Sequence, residues 1–302
     1  MFLEVSTIIE HLSDEGYEVT CFGDNKRSIN GYCSLYDLRD NSITWAKKYE
    51  YIDTSSLNDY KNVIVIVNSE PIGRPMDEFT YIVCNNPKSA FFELLLTFFS
   101  PTGAPSISET TCVEATVIGD SFSVGHHSYI CADVIIGKNV RIANNVTIEC
   151  PTVIGDNTSI GSGTVIGSSG YGYFETPSGI QKMVPHFGGV RIGSNVEIGA
   201  NVCIDRGTLG DTIIGDNVKI DNLCHIAHNV LIEDNCFVIA LSMLGGSAHL
   251  CEGAYIAPGV LVMNQATVGR RSLVGLGAVV TKDVEAGKVV VGVPAKPIRD
   301  NI

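Results

Sequence analysis

Two of the seven histidines stand three residues apart in Asp221-Asn222-Leu223-Cys224-His225-Ile226-Ala227-His228-Asn229, and a glycine pair, Gly245-Gly246, follows in the next stretch of chain. A neutral imidazole can take a proton from an attacking amine. A main-chain N–H at a residue without a side chain can hold the charge that develops on a carbonyl oxygen. Together these suffice for acyl transfer without a metal or a covalent enzyme intermediate. A surface histidine alone is usually only a solvated side chain, so the pattern matters if the fold brings residues 228 and 246 together.

The element that does this is written across Ile118 to Val280. An aliphatic residue returns at every sixth position: Ile118, Val124, Ile130, Ile136, Ile142, Ile148, Ile154, Ile160 and Ile166. The beat resumes at Ile192, Ile198 and Ile204, then runs from Ile214 through Ile220, Ile226, Ile232, Val238 and Leu244 to Val280. This period fits neither an amphipathic helix nor an alternating strand, but it marks a parallel β-helix built of hexapeptides. The aliphatic residue points inward, and Gly, Asn or Asp at the corner tolerates the turn. Three repeats per coil stack residues about 18 apart, which sets Gly246 one coil beyond His228. With Ile226 inward, His225 faces out and His228 lies at a corner, both accessible.

Residues that interrupt the beat must leave the coil as loops, where function concentrates. One interruption, between Ile166 and Ile192, holds Gly170-Tyr171-Gly172-Tyr173-Phe174 and Pro185-His186-Phe187. A shorter one, between Ile204 and Ile214, holds Arg206-Gly207-Thr208-Leu209-Gly210. Both precede the histidine segment and are expected to wall a cleft around it.

Before about residue 101 the beat is absent. Helical spacing over Val5 to Leu12, apolar runs at Val63 to Val67 and Tyr81 to Cys84, and a helix opened by Asn86-Pro87 and stopped by Pro101 indicate a small α/β domain. The expected layout is an α/β domain over 1–100, a β-helix over 101–288 and a short closing segment over 289–302. Trp45, the only tryptophan, stands near Lys47, Lys48 and Tyr51. A base stacked on an aromatic with phosphates near lysine is one reading, and a packed aromatic corner is the other.

With 33 acidic residues against 20 basic ones, the net charge of −13 argues against a nucleic-acid binder. Ten dispersed cysteines without a CxxC pair fit reduced thiols in small core positions, hence a reducing, cytoplasmic setting. The N-terminus does not read as a signal peptide, and the most apolar run, Ala90 to Phe99, is too short to cross a bilayer.

Ile204-Asp205-Arg206-Gly207-Thr208-Leu209-Gly210-Asp211-Thr212, with Ile220-Asp221-Asn222 and Ile226-Ala227-His228-Asn229-Val230, resembles the signature of the UDP-3-O-acylglucosamine N-acyltransferases of lipid A biosynthesis. The likeness extends back through Gly167 to Tyr173 and Val190 to Gly193. It implies a left-handed helix, a uridine-binding first domain, and a homotrimer with active sites between subunits. By the same resemblance His228 is the general base, Gly246 the oxyanion donor, and Asp221 and Asn222 site positions. Trp45 and Tyr51 fall where that family sandwiches uracil. Tyr171, His186 and His225 join them as expected substrate contacts.

Lys48 stands where the family has a polar amide, and Gln265 where it has a second histidine. The ending, Val291-Gly292-Val293-Pro294-Ala295-Lys296-Pro297-Ile298, resembles sugar acetyltransferases that use acyl-coenzyme A. It implies Lys296 and Gly245 near the donor. The favoured expectation is therefore acyl-CoA, with acyl carrier protein as the other donor, and as acceptor a different nucleotide-linked amino sugar of surface polysaccharide or lipopolysaccharide synthesis, such as a 4-amino-6-deoxy sugar, carried on UDP or dTDP. The alternative is lipid A N-acylation itself. No permanently bound cofactor or metal is expected. Two remoter readings are a metal hydratase of the γ-carbonic anhydrase kind, drawn from His225, His228 and His249, and a catalytically silent trimeric scaffold. The 24 residues between His225 and His249 do not match the coil repeat, which argues against the hydratase within one chain.

Overall fold

The structure is a computed structural model that describes residues 2–301 apart from 49, 51, 53–58, 72–78, 101–103, 116 and 150. Two compact units divide the chain, Met1–Gly103 and Ala104–Ile302. The closing segment expected over 289–302 is part of the second unit.

In the first unit a five-stranded sheet runs in the order Val19–Phe22, Phe79–Cys84, Val63–Val67, Ser42–Trp45, Gly31–Tyr32. Only the first pair is antiparallel. The central strand Val63–Val67 is buried along its whole length, so it is apolar at every position rather than at alternate ones. Ile64 and Ile66 pack with Ile8, Leu12 and Phe91 from the helices on one side, and Val63, Val65 and Val67 with Phe79 and Tyr81 on the other. Helix Val5–Asp14 begins after Glu4, with no side-chain cap at its start. Helix Pro87–Leu94 does start at Asn86, whose side chain accepts the Ser89 N–H, and it loosens into a π turn over Leu95–Phe99 before reaching Pro101.

The second unit is the β-helix. Its two-residue strands form three parallel sheets, one per face. Face one carries Ser123–Val124, Lys219–Ile220 and Phe237–Val238; face two His225–Ile226 and Met243–Leu244; face three Leu231–Ile232 and His249–Leu250. Successive coils pair in register, as in His225↔Met243 and Ile226↔Leu244. Every beat residue from Val124 to Val280 is buried. A second inward position, two residues before each, escapes the aliphatic beat because small side chains fill it: Val196, Cys224, Ala248 and Thr164 are examples. The corner residue three past each beat is commonly left-handed, mostly Asn, and Asn139, Asn157 and Asn195 link side chain to side chain from coil to coil. On face one the helix ends in Lys288–Val291, paired antiparallel with Lys296–Asp300.

Candidate active site

His228 lies two residues past Ile226, at the corner between faces two and three. The register of Ile226 against Leu244 sets Gly246 at the same place one coil on. A Cβ on Gly246 would meet His228 Cε1 at 2.7 Å and Nε2 at 2.8 Å, so the ring lies across the glycine. From the other side Gly170, in the longer excursion, comes equally close: its Cβ would meet His228 Cδ2 at 2.7 Å. The imidazole is therefore held between two residues that have no side chain.

Both excursions leave the helix at this same corner. The longer forms a hairpin, Tyr173–Glu175 with Gln181–Met183, and returns through His186. The shorter is stitched to it: Phe187 N–H donates to Thr208 O, and Arg206 Nε to Gly188 O. Asp211 closes the pair by accepting the Gly189 N–H and the Arg191 guanidinium. Both interruptions thus pack beside the corner that carries His228.

The ring nitrogens are placed by neighbours. Asn229 Oδ1 accepts the Thr208 N–H at 2.7 Å, which turns its Nδ2 to donate to Thr208 Oγ1 and to His228 Nδ1 at 2.9 Å. With Nδ1 as acceptor, the neutral ring carries its proton on Nε2. Burial, then the nearby His186, hold His228 below the ordinary histidine range, against the opposing pull of Asp205 and the Tyr171 carbonyl. A neutral imidazole at neutral pH is the result. His186 is buried, its Nδ1 bound to Val184 O, its ring edge-on to His228 with centroids 5.2 Å apart. His186 Nε2 is buried without a hydrogen-bond partner. His225, facing outward on its strand, sets Nε2 3.7 Å from Asp205 Oδ2. Burial raises the Asp205 carboxyl, while His225 and Ser168 oppose that rise.

At several other corners the N–H two past the beat is capped by an oxygen of the next coil. Ala200 N–H donates to Asn222 Oδ1, and Asp216 N–H to Asp234 Oδ1. The Gly246 N–H meets no acceptor among the described residues. It is a free donor next to an imidazole.

Other expected residues fall elsewhere. Asp221 and Asn222 occupy the preceding corner, between faces one and two, and spend their oxygens on Asn222 N–H, Ala240 N–H and Ala200 N–H. Within one chain they do not join His228, because a whole strand separates the two corners. Gln265 is the exception: it is exposed at the same corner as His228, one coil past Ser247, and its N–H donates to the Gly246 carbonyl. Gly245 has its N–H spent on Val262 O, and Lys296 is exposed on the closing hairpin. Tyr171, between Gly170 and the hairpin, is 86% exposed, with its carbonyl turned to His228. Asn229, Thr208, Asp205 and Gly170 were missed as site residues. The signal for Asp205 was an acid directly after an inward beat residue; for Gly170 no signal precedes the fold.

In the first unit a cavity of about 490 Å³ is lined by Tyr32, Tyr36, Thr44, Trp45, Lys47 and Phe92, among others. Trp45 is half-buried against the core, as the packed-corner reading expects, and also lines this cavity. Thr44 Oγ1 is buried without a partner. The lysine lining the cavity is Lys47, since Lys48, the expected contact, does not line it. Tyr51 lies outside the described residues. No described helix is long and apolar enough to cross a membrane. The histidines considered for a hydratase do not converge within the chain: His225 turns to Asp205 and His249 to Glu233.

A six-repeat model of the bacterial transferase hexapeptide matches residues 115–150 and 211–246. Both matched stretches lie in the β-helix. Over 133 residues the chain is 40% identical to the UDP-3-O-acylglucosamine N-acyltransferase of Caulobacter sp. strain K31, 44% of this chain and 39% of that one. The protein of the same name from Methylobacterium nodulans is 40% identical over 134 residues, 44% and 38% of the two chains. The hexapeptide chain thus spans about two fifths of the length of the curated relatives it matches. Two UDP-N-acetylglucosamine acyltransferases of known structure share its architecture over 65% of this chain and 75% of theirs. That of Campylobacter jejuni superposes with a TM-score of 0.60 at 25% identity, and that of Bacteroides fragilis with 0.57 at 26%. The resemblance read from residues 204–230 is shown, and the relatives of these hexapeptide repeats are acyltransferases.

Proposed function

We propose that the protein is an N-acyltransferase that moves an acyl group from a pantetheine thioester to the amine of a UDP-linked glucosamine. The observation that carries this is the imidazole of His228 lying across Gly246, beside a main-chain N–H without an acceptor. The amine lone pair adds to the thioester carbonyl, and the oxygen that gains charge is met by the Gly246 N–H. His228 takes the amine proton, the C–S bond breaks, and that proton leaves with the thiol. Accepting at Nε2 requires the ring proton to move to Nδ1, where Asn229 must then present Oδ1, giving up its bonds to Thr208. Asn229 thus controls which nitrogen acts.

The names of the curated relatives favour the 3-O-acylglucosamine acceptor over a different amino sugar, such as the 4-amino-6-deoxy sugars, expected from the sequence. Coenzyme A and acyl carrier protein present the same pantetheine thioester. Trp45 and the unpartnered Thr44 hydroxyl support nucleotide binding in the first unit, with Lys47 near the phosphates. Exposed Leu223, Phe237, Leu241 and Tyr255 on the helix support a homotrimer, in which Asp221 and Asn222 of a neighbour come to the site. The test is thiol release from acyl-CoA and from acyl carrier protein, each with UDP-3-O-acylglucosamine and with 4-amino sugars on UDP or dTDP. Turnover is expected with the first acceptor, lost about 10²-fold or more in His228→Ala. A His228→Ala protein that keeps near-wild-type turnover removes the mechanism. A protein that consumes no thioester with any pair is the silent scaffold.

A further inference from the structure

Glu233, His249 and Cys251 belong to face three, away from the machinery above, and the coil geometry forces them together. In a strand, residues two apart share a face, so His249 and Cys251 flank inward Leu250 and both point outward. The next strand down pairs Leu231↔His249 and Ile232↔Leu250, which stacks Glu233 beneath Cys251 at the parallel-strand spacing. His249 Nε2 lies 2.8 Å from Glu233 Oε1 and 3.9 Å from Cys251 Sγ. All three donor atoms fall within 4.8 Å of one another. A cavity of about 310 Å³ opens beside them, lined by Glu233, Asp234 and Glu252. One cation is near, Arg270, and it is bound to Glu252.

We propose that Glu233, His249 and Cys251 form a binding site for a zinc-class divalent ion that ties two adjacent coils together. Nitrogen, carboxylate and thiol donors at tetrahedral positions around zinc stand about 3.3–3.7 Å apart, given ligand distances of about 2.0–2.3 Å. The observed separations bracket that range, so side-chain tips need move by only about 1 Å. A mixed set with one sulfur selects zinc, cobalt or nickel over magnesium or calcium, which prefer oxygen alone. On binding, Cys251 releases its thiol proton to solvent and Sγ forms the metal bond, while His249 binds as neutral imidazole through Nε2. The fourth position faces the acidic cavity and takes water. The bare alternative is a His249–Glu233 ion pair with an idle thiol alongside.

The test uses the full chain, stripped with chelator and titrated with cobalt and with zinc. About one ion per chain is expected, with cobalt giving a near-ultraviolet sulfur-to-metal charge-transfer band. Cys251→Ser is expected to abolish the band, and His249→Gln to weaken zinc roughly tenfold or more. His11→Gln, in a separate His11, Glu15 and Glu93 cluster of the first unit, leaves the band intact. A wild-type cobalt complex without the sulfur band, or no uptake, overturns the proposal whatever the variants do. A band that survives in Cys251→Ser overturns it equally, by placing the sulfur elsewhere. Neither result bears on acyl transfer, which the proposal does not require.

Discussion

Gly246→Ala separates the two jobs assigned to that glycine, because alanine keeps the N–H but adds a methyl group where the imidazole lies. The new Cβ would sit 2.7 Å from His228 Cε1, 2.8 Å from Nε2 and 3.3 Å from Nδ1. Carbon contacts are comfortable at about 3.5–4.0 Å, so the ring must retreat by roughly 1 Å. It cannot do so directly, since Gly170 closes the opposite side and Asn229 holds Nδ1. A displacement of about 1 Å in a reacting group costs on the order of 10²-fold in rate. The backbone itself tolerates the change, because Gly246 does not have positive φ. Overpacking costs about 1–3 kcal/mol, which the fold survives. Initial rates of thiol release alongside a thermal melt measure both. A folded Gly246→Ala enzyme working within roughly threefold of wild type would show that the ring over Gly246 is not the working base.

The acid limb of kcat/KM should fall below the ordinary histidine pKa of about 6.5, since burial and His186 disfavour the imidazolium. His186→Gln should move the limb upward; a wild-type limb above about 6.5 contradicts the burial argument. Because the folded ring resists the proton that the unfolded ring accepts, His228 also lowers stability as pH falls through that window. Asn229→Asp places a carboxylate against Nδ1, favours the Nδ1–H tautomer and raises the ring's pKa, so its acid limb should lie higher than that of wild type. An unchanged limb would mean that residue 229 does not set the tautomer. Asp211 is held below the usual carboxylate range, first by the Arg191 hydrogen bond and then, more weakly, by the Gly189 N–H, against burial. Its contribution is present above about pH 3.9 and disappears as pH falls through the lower folded value. Asp211→Asn should therefore cost about 1 kcal/mol at neutral pH in urea unfolding and nothing below the folded pKa; equal stability at neutral pH refutes it.

The beat made the β-helix legible, since each inward position from Val124 to Val280 is one chain-local choice repeated. The second inward row stayed hidden because Cys224, Ala248 and Thr164 share size rather than polarity, and hydropathy cannot register that. The stacking of His228 on Gly246 followed from counting coils, which works wherever no residues are inserted. Across the insertions counting fails: Ile204 pairs with Ile226, so Asp205 reaches His225 over a register that the regular repeat does not give. Asp221 and Asn222 were read as site residues from a motif that is contiguous in sequence, yet the strand between them and His228 turns the two ends to different corners. Lys47 rather than Lys48 lines the first unit's cavity, in the bend after the strand Ser42–Trp45, where no repeat says which lysine faces inward.

Why the site sits at this corner follows from how the other two are built. The helix closes its turns with a ladder in which an oxygen on one coil caps an N–H on the coil before, as Asn144 caps His126, Asp156 caps Lys138 and Asp216 caps Ser194. Such a corner has no donor left for a ligand. The corner between faces two and three departs from that ladder at three successive coils: two insert loops at Ile166 and Ile204, and the next carries His228. Above His228 the chain places Gly246, which has no side chain to cap anything and leaves room for the ring instead. Glycine in place of a capping residue therefore removes the oxygen that would cap the His228 N–H and admits the imidazole, while the Gly246 N–H stays free because no oxygen one coil further on caps it among the described residues. A corner residue that restored the cap at 246 would have to occupy the space of the ring, so a capped ladder and the His228 ring compete for one position. The two excursions then do for this corner what side-chain caps do for the others, with Asp211, Arg191 and the Thr208–Asn229 bonds holding it closed from outside.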